Sequence, residues 1–158
     1  MRMIPQYLLA ALLGLACLPV MAADGQAYVA PSLKHPAYGD TNIVVPITSM
    51  DENVWKMKLG NIMHAQAAVK SYGGKLTVKV VSYNSGIKLL QQKDNEIAEM
   101  VNELRKSGVQ FLACNQTLKR MDIDYHALNN VKDEDVVPAG FLEVGWLQTQ
   151  HFVADPMN

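Results

Sequence analysis

Cys114 is the residue whose surroundings point most directly to chemistry. It follows the apolar segment 109–113, which is typical of a buried strand, and it stands just before a predicted short helix at residues 117–121. The free N–H groups and positive dipole at a helix start favour a thiolate, so this position predicts a cysteine with a lowered pKa. The polar residues that follow can hydrogen-bond to the sulfur or to a bound group, with charge added by Lys119 or Arg120; they are Asn115, Gln116 and Thr117. The alternative is a small, buried and inert cysteine.

A second polar loop, formed by Asn84, Ser85 and Gly86, follows another apolar segment at residues 75–83. In an open parallel sheet, ligands bind at the carboxyl ends of the strands, so this loop and the Cys114 loop meet if their strands are neighbours. Gly86 allows backbone N–H groups to approach an anion, and Ser85 offers a hydroxyl donor. The alternative is an ordinary strand-to-helix turn in which Ser85 is a cap.

Other kinds of site have little support in the sequence. The histidines lack metal-ligand spacing, and the acidic residues between positions 122 and 135 lack the alternating order and central glycine of a calcium loop. There is no CxxC motif, and no spacing rule pairs Cys114 with His126, the histidine nearest to it in sequence. The sequence therefore predicts neither a metal nor a cofactor.

Strand and helix patterns alternate along the chain. Apolar, β-branched segments predict strands at 42–48, 75–83, 109–113 and 151–154, and the segment 131–137 leads through acidic residues to a fourth strand. Helical spacing of apolar residues predicts helices at 51–72 and 96–107, shorter ones at 117–121 and 124–128, and one after Pro138. Pro46 removes a hydrogen-bond donor from the first strand, which predicts an edge position or a bulge. The order predicts an α/β domain with a mostly parallel five-stranded sheet between helical layers.

The first 22 residues have the layout of a cleavable signal peptide: Arg2, an apolar stretch from Tyr7 to Val20, and Ala22 at the favoured cut. The stretch is shorter than the about 20 apolar residues of a membrane span. The alternative, lipidation of Cys17, fits poorly because no polar linker follows. We therefore expect a periplasmic protein with a signal peptide at 1–22, an extended arm at 23–40 and one domain at 41–158, with no membrane association after cleavage.

Charge and cysteine content limit the partners of the predicted domain. The formal net charge of the whole chain is −1, and loss of Arg2 with the leader makes it one unit more negative, which predicts no nucleic-acid binding. Cleavage also leaves Cys114 as the only cysteine, so no disulfide can form within one chain. Such a thiol is buried and inert, paired with another chain, or kept for its chemistry.

The region from Leu76 to Pro156 resembles the DsrE/DsrF-like family of small sulfur-handling proteins. The resemblance lies in the segments 78–90, 107–118 and 136–148 and, with the first strand and helix, covers most of the predicted domain. It implies a three-layer flavodoxin-like or Rossmann-like fold and a homo-oligomer. In sulfur-relay members a cysteine at the end of the third-strand region carries sulfur as a persulfide, and Cys114 matches that position. The loop after the second strand, here 84–86, belongs to the region that forms the pocket.

Two functions from different classes follow. The first is an exported sulfur carrier, at most sulfurtransferase-like, in which Cys114 binds or relays sulfane sulfur between a donor and an acceptor thiol. The second is a non-catalytic, oligomeric module that binds a small ligand while Cys114 only packs. Redox sensing through a disulfide between chains is a third interpretation, and it requires an exposed Cys114.

Overall fold

The computed structural model describes residues 31–155. The predicted signal peptide at 1–22 and the first part of the predicted arm, 23–30, lie outside this range and remain predictions. Residues 31–39 form no helix or strand. Within the described range, the residues from Leu33 onward form one compact unit. No helix in residues 31–155 has the length and apolar character needed to cross a membrane.

Strands and helices alternate as the sequence predicts. The strands are β1 (Asp40–Ile47), β2 (Lys75–Ser82), β3 (Gln110–Cys114), β4 (Val136–Val137) and β5 (Val153–Ala154). The α-helices are α1 (Glu52–Tyr72), α2 (Glu96–Lys106), α3 (Asn115–Arg120) and α4 (Gly140–Thr149). Short 3-10 helices cover Asn84–Gln91, Tyr125–Ala127 and Asp133–Asp135. The predicted turn at 84–86 is thus the start of a 3-10 helix. The acidic residues 133–135 that lead to the fourth strand are helical, so this strand has only two residues.

The five strands form one parallel sheet with the order β4-β3-β2-β1-β5. From β1 to β4 the chain moves in one direction, and it then crosses back to add β5 beside β1. Because crossovers between parallel strands are right-handed, the reversal places α4 on the opposite face from α1 and α2. This arrangement confirms the predicted three-layer α/β fold with a parallel five-stranded sheet.

Most of the core lies on the face that α1 and α2 cover. Asp51 caps α1 by accepting a 2.9 Å hydrogen bond from the backbone N–H of Asn53. The helix then places buried apolar side chains at helical spacing against the sheet, as predicted, and its C-cap is Gly73 with a φ of 78°. Alternate residues of β1, β2 and β3 face this layer. Together with two side chains of α1 they form its buried centre: Val45, Ile47, Trp55, Leu59, Val78, Val80 and Phe111.

The opposite face has a smaller core, which within residues 31–155 is covered by a single α-helix, α4. Its buried residues are Val44, Val81, Leu112, Val137 and Leu147. Leu147 is the buried apolar anchor of α4, whereas three large apolar side chains of the same helix face outward: Phe141, Leu142 and Trp146. The second layer is therefore thin, and it leaves an apolar helix face uncovered in the described chain.

Pro46 does not place β1 at the edge of the sheet, because β2 and β5 flank this strand. The short β5 pairs with β1 only at Ile43 and Val44, however. Alternate residues of a parallel strand bond to the same side, so position 46 faces the region beyond the end of the β5 ladder. The missing N–H of Pro46 costs no ladder bond there, and its carbonyl oxygen accepts a 3.3 Å bond from Lys58 Nζ.

Candidate functional site

The two predicted loops meet at the carboxyl end of the sheet. β2 and β3 are neighbours, with Ser82 paired to Ala113, so the chain leaves both strands at the same rim. A cavity of about 460 Å³ lies there. It is lined by residues that follow β2, by Cys114 and α3, and by the start of α4: Tyr83, Asn84, Cys114, Gln116, Thr117, Arg120, Ala139, Gly140 and Phe141.

Cys114 is the last residue of β3 and the N-cap of α3, and only 4% of its surface is exposed. Burial alone would raise the pKa of its thiol. The Thr117 hydroxyl and the backbone amides of Gly140, Thr117 and Gln116 act in the opposite direction by hydrogen bonding to the sulfur. Their combined effect is larger, so the pKa of Cys114 lies below its ordinary value. The site therefore favours a thiolate that is shielded from bulk water.

One of these donors comes from α4, which the sequence pattern does not connect with Cys114. β4 pairs with β3 through Cys114 and Val137, so the following turn carries Gly140 toward the sulfur. A Cβ atom added at Gly140 would lie 2.8 Å from Cβ of Tyr83. Glycine is thus needed for the close approach of α4 to Tyr83, the residue that follows β2.

Tyr83 forms a wall of the cavity beside the cysteine. Burial raises the pKa of its hydroxyl, and the negative charge of the Cys114 thiolate raises it further. The phenol therefore remains protonated and neutral while Cys114 ionises.

Asn84 links the loop after β2 to α3. Its backbone N–H donates a 3.0 Å hydrogen bond to Thr117 Oγ1, and its side-chain oxygen accepts a 3.0 Å bond from Arg120 Nη2. Its φ of 49° lies in the left-handed region, which asparagine tolerates better than most residues. These bonds hold the Arg120 guanidinium at the cavity and the Thr117 hydroxyl beside the sulfur.

Four predicted site residues line this cavity, namely Cys114, Asn84, Gln116 and Thr117, and three do not. Ser85 and Asn115 lie next to lining residues without contributing to the wall. Gly86 is buried against β1, where any side chain would collide with the carbonyl group of Ile47. Its N–H group donates to the carbonyl oxygens of Thr48 and Tyr83, so Gly86 serves packing rather than contact with an anion.

The sequence interpretation missed Tyr83 and the α4 segment 139–141. The sequence offers both Lys119 and Arg120 as sources of positive charge, and only Arg120 lines the cavity. The available signal for α4 is Gly140, which follows Pro138 by two residues at the start of a helical pattern. That signal is weak because Gly140 is 26 positions from Cys114 in sequence and reaches it only through the β3–β4 pairing.

Residues 31–155 contain no group of three or more histidine, cysteine or acidic side chains arranged to hold a metal ion. His126, the histidine nearest to Cys114 in sequence, binds Asp124 through Nδ1 at 2.8 Å and does not line the cavity. An intermolecular disulfide would need an exposed thiol, so the burial of Cys114 argues against redox sensing by that route.

Comparison with known proteins agrees with the fold. The chain is similar to a solved protein of unknown function from Methanobacterium thermoautotrophicum, with 28% identity, a TM-score of 0.64, and coverage of 73% of this chain and 98% of that one. No curated protein matches. The model of the DsrE/DsrF-like family matches residues 56–152, which include Cys114 and all residues that line the cavity. As the sequence resemblance predicted, the chain belongs to the DsrE/DsrF-like family.

Proposed function

We propose that this protein is a sulfur carrier in which Cys114 accepts sulfane sulfur and holds it as a persulfide. The observation that carries the proposal is the placement of a thiol with a lowered pKa in a cavity wall, beside donors from α3 and α4. A thiolate is the nucleophilic form of cysteine, and shielding from bulk water limits unwanted oxidation. Membership of a family that includes sulfur-relay proteins supports the same chemistry.

The reaction is a transfer of one sulfur atom without an external oxidant. The Cys114 thiolate attacks the sulfane sulfur of a donor, a Cys114 S–S bond forms, and the bond between the sulfane sulfur and the rest of the donor breaks. The leaving group departs with the bonding electron pair. The terminal persulfide sulfur carries the negative charge, and the donors around Cys114 stabilise it as they stabilise the thiolate. An acceptor thiolate then attacks the terminal sulfur and regenerates Cys114.

The proposed carrier works outside the cytoplasm, because the predicted leader at 1–22 directs export to the periplasm. Its partners are a sulfane-sulfur donor and an acceptor thiol. The outward apolar face of α4, defined by Phe141, Leu142 and Trp146, supports assembly with a second copy of the chain. These side chains are 80%, 70% and 52% exposed. They expose on the order of 400 Å² of apolar surface, about half of what one partner buries in a standard interface.

Intact-mass spectrometry tests the sulfur-carrier function directly. Wild type and Cys114→Ser, purified from the exporting cell, are incubated with polysulfide and measured before and after treatment with reductant. We expect wild type alone to gain about 32 Da per sulfur atom and to lose the gain on reduction. The serine variant controls for adducts elsewhere, including at Cys17, and the spectrum also gives the N-terminal cleavage site. A wild-type mass that polysulfide leaves unchanged would contradict the proposal.

One observation favours the second function, a binding module in which Cys114 only packs: the thiol is 4% exposed. Reactivity of the folded protein separates the two functions. A packing cysteine reacts with a neutral thiol reagent only after unfolding, whereas a cavity thiolate reacts in the native state. The binding module would be supported if Cys114 reacts only as fast as global unfolding exposes it, and if Cys114→Ala shows the same ligand-dependent melting as wild type.

A further inference from the structure

We propose that Arg120 binds the negatively charged part of a small sulfane-sulfur donor, so that the Cys114 cavity selects anionic donors over neutral ones. The inference rests on the proposed function for the identity of the donor, but the anion preference can be measured without sulfur transfer. The relevant chemical class is a small molecule whose sulfane sulfur is bonded directly to an anionic group, as in thiosulfate.

The charges at the cavity favour this class. Among the described residues that line it, none is acidic, and Arg120 is the only lysine or arginine. No carboxylate of residues 31–155 forms an ion pair with Arg120, although ion pairs occur elsewhere in the same range. Among the described residues, the guanidinium therefore has no carboxylate partner at the cavity, and a bound anionic donor would supply one.

Asn84, in the loop that follows β2, fixes the orientation of Arg120. Arg120 Nη2 donates to Asn84 Oδ1 at 3.0 Å, and Asn84 in turn donates its backbone N–H to Thr117 Oγ1 at 3.0 Å. The Thr117 hydroxyl stabilises the Cys114 sulfur. One connected set of hydrogen bonds thus relates the guanidinium to the nucleophile. The guanidinium has five N–H donors in a planar fork, so further donors can bind an oxyanion while Asn84 retains its bond.

The same arrangement fits the reacting atoms of thiosulfate. When the Cys114 thiolate attacks the outer sulfur, the new Cys114 S–S bond forms, the S–S bond of thiosulfate breaks, and sulfite leaves with the electron pair. The total charge of −3 is the same on both sides of this step. Arg120 stabilises the sulfonate oxygens in the bound donor and the sulfite that departs, and it offsets repulsion between two anions.

Lys119 provides a matched control. It precedes Arg120 in α3 and is also exposed, but it does not line the cavity. Arg120→Gln and Lys119→Gln therefore remove the same unit of charge, one residue apart, and only the first removes it from the cavity. Arg120→Lys keeps the charge and loses the planar fork.

The experiment compares alkylation of native Cys114 by iodoacetate and iodoacetamide, two reagents of similar size and different charge. Peptide mass spectrometry reads modification at Cys114, and melting curves confirm that each full-length variant is folded. We expect Arg120→Gln to lower the iodoacetate-to-iodoacetamide rate ratio about fivefold or more, the effect of a unit charge about 4 Å away even in bulk water. Lys119→Gln should change the ratio less than about twofold, and Arg120→Lys should retain most of it.

A rate ratio that Arg120→Gln leaves unchanged, or that both glutamine variants lower equally, would overturn the inference. So would a Cys114 that reacts with neither reagent before unfolding, because a donor then has no access to it. The outcome is independent of sulfur uptake. Loss of the anion preference in Arg120→Gln, combined with no mass gain from polysulfide, would retain the anion site and reject the sulfur carrier.

Discussion

Replacement of Thr117 by valine tests how the site activates its thiol. Thr117 is 3% exposed, its hydroxyl accepts the N–H of Asn84, and it is the leading group that lowers the pKa of Cys114. Valine has nearly the same shape but no hydroxyl. A hydrogen bond to a charged group contributes about 1.5–3 kcal/mol, so the thiolate loses at least about 1.5 kcal/mol of stabilisation. At a pH below the pKa, the thiolate fraction should fall about tenfold.

The reaction rate should change less than the thiolate fraction, because a more basic thiolate is a better nucleophile. With a Brønsted coefficient of about 0.4–0.5, a tenfold loss of thiolate is offset by an about threefold gain in reactivity. Thr117→Val should therefore react with a neutral disulfide reagent about threefold more slowly than wild type at low pH and about threefold faster once both thiols are ionised.

Stopped-flow absorbance with a dithiodipyridine reagent, measured across pH, gives both limbs of this comparison. The two rate profiles should cross, and Thr117→Ser, which keeps the hydroxyl, should follow wild type. A Thr117→Val profile that coincides with wild type would refute the assigned role of the hydroxyl. A profile that is lower by the same factor at every pH would also refute it, because that pattern indicates reduced access rather than altered ionisation.

Three further predictions concern α4 and the thiol. Gly140→Ala should lower the melting temperature and raise the pKa of Cys114, because the new Cβ would lie 2.8 Å from Tyr83 and displace an amide donor from the sulfur. Thermal melting and thiol titration measure the two effects. Gly145→Ala is the control, because a Cβ at Gly145 meets open space. Because folding lowers the pKa of Cys114, ionisation of the thiol should stabilise the folded wild type. Above pH 9.0, the ordinary pKa, the free energy of unfolding should therefore be higher for wild type than for Cys114→Ser. The difference should disappear as the pH falls through the lowered pKa, and urea unfolding at several pH values measures it. Leu142→Glu should shift an oligomer toward monomer in analytical ultracentrifugation without raising the pKa of Cys114, and an unchanged sedimentation profile would exclude this face as the interface.

The parts of the fold that the sequence predicts well are those with local signals. α1 has an N-cap at Asp51 and a glycine after its last turn, and β2 has a nearly continuous apolar centre that suits a strand covered on both faces. The sequence does not define where strand β4 begins, because Val131, Val136 and Val137 are all apolar and the helical turn between them has no periodicity to reveal it. A segment of three residues contains too little information for a period to be read.

For the site, the sequence predicts the residues that adjoin Cys114 in the chain and misses those that the sheet brings to it. The position of Cys114 before a helix was readable because both elements are local. Gly86 illustrates the opposite case: its pattern suggests anion contact, but its N–H is used by a tertiary hydrogen bond to Thr48 and a local one to Tyr83. Gly140 and Phe141 reach the cavity only because β4 pairs with β3. The order of strands in a sheet cannot be read from the residues of any one segment.

Because the chain crosses back over the sheet to add β5, the surroundings of Cys114 are completed late in folding. A nascent chain folded only as far as β3 already contains Cys114, but it lacks the amide of Gly140 and the cavity wall from α4. That later segment is secured by β5, which pairs with β1 across 110 positions of sequence, the kind of contact that forms late. During synthesis the cysteine therefore resembles an ordinary thiol. Its full acidity is acquired with the closing of the last strand.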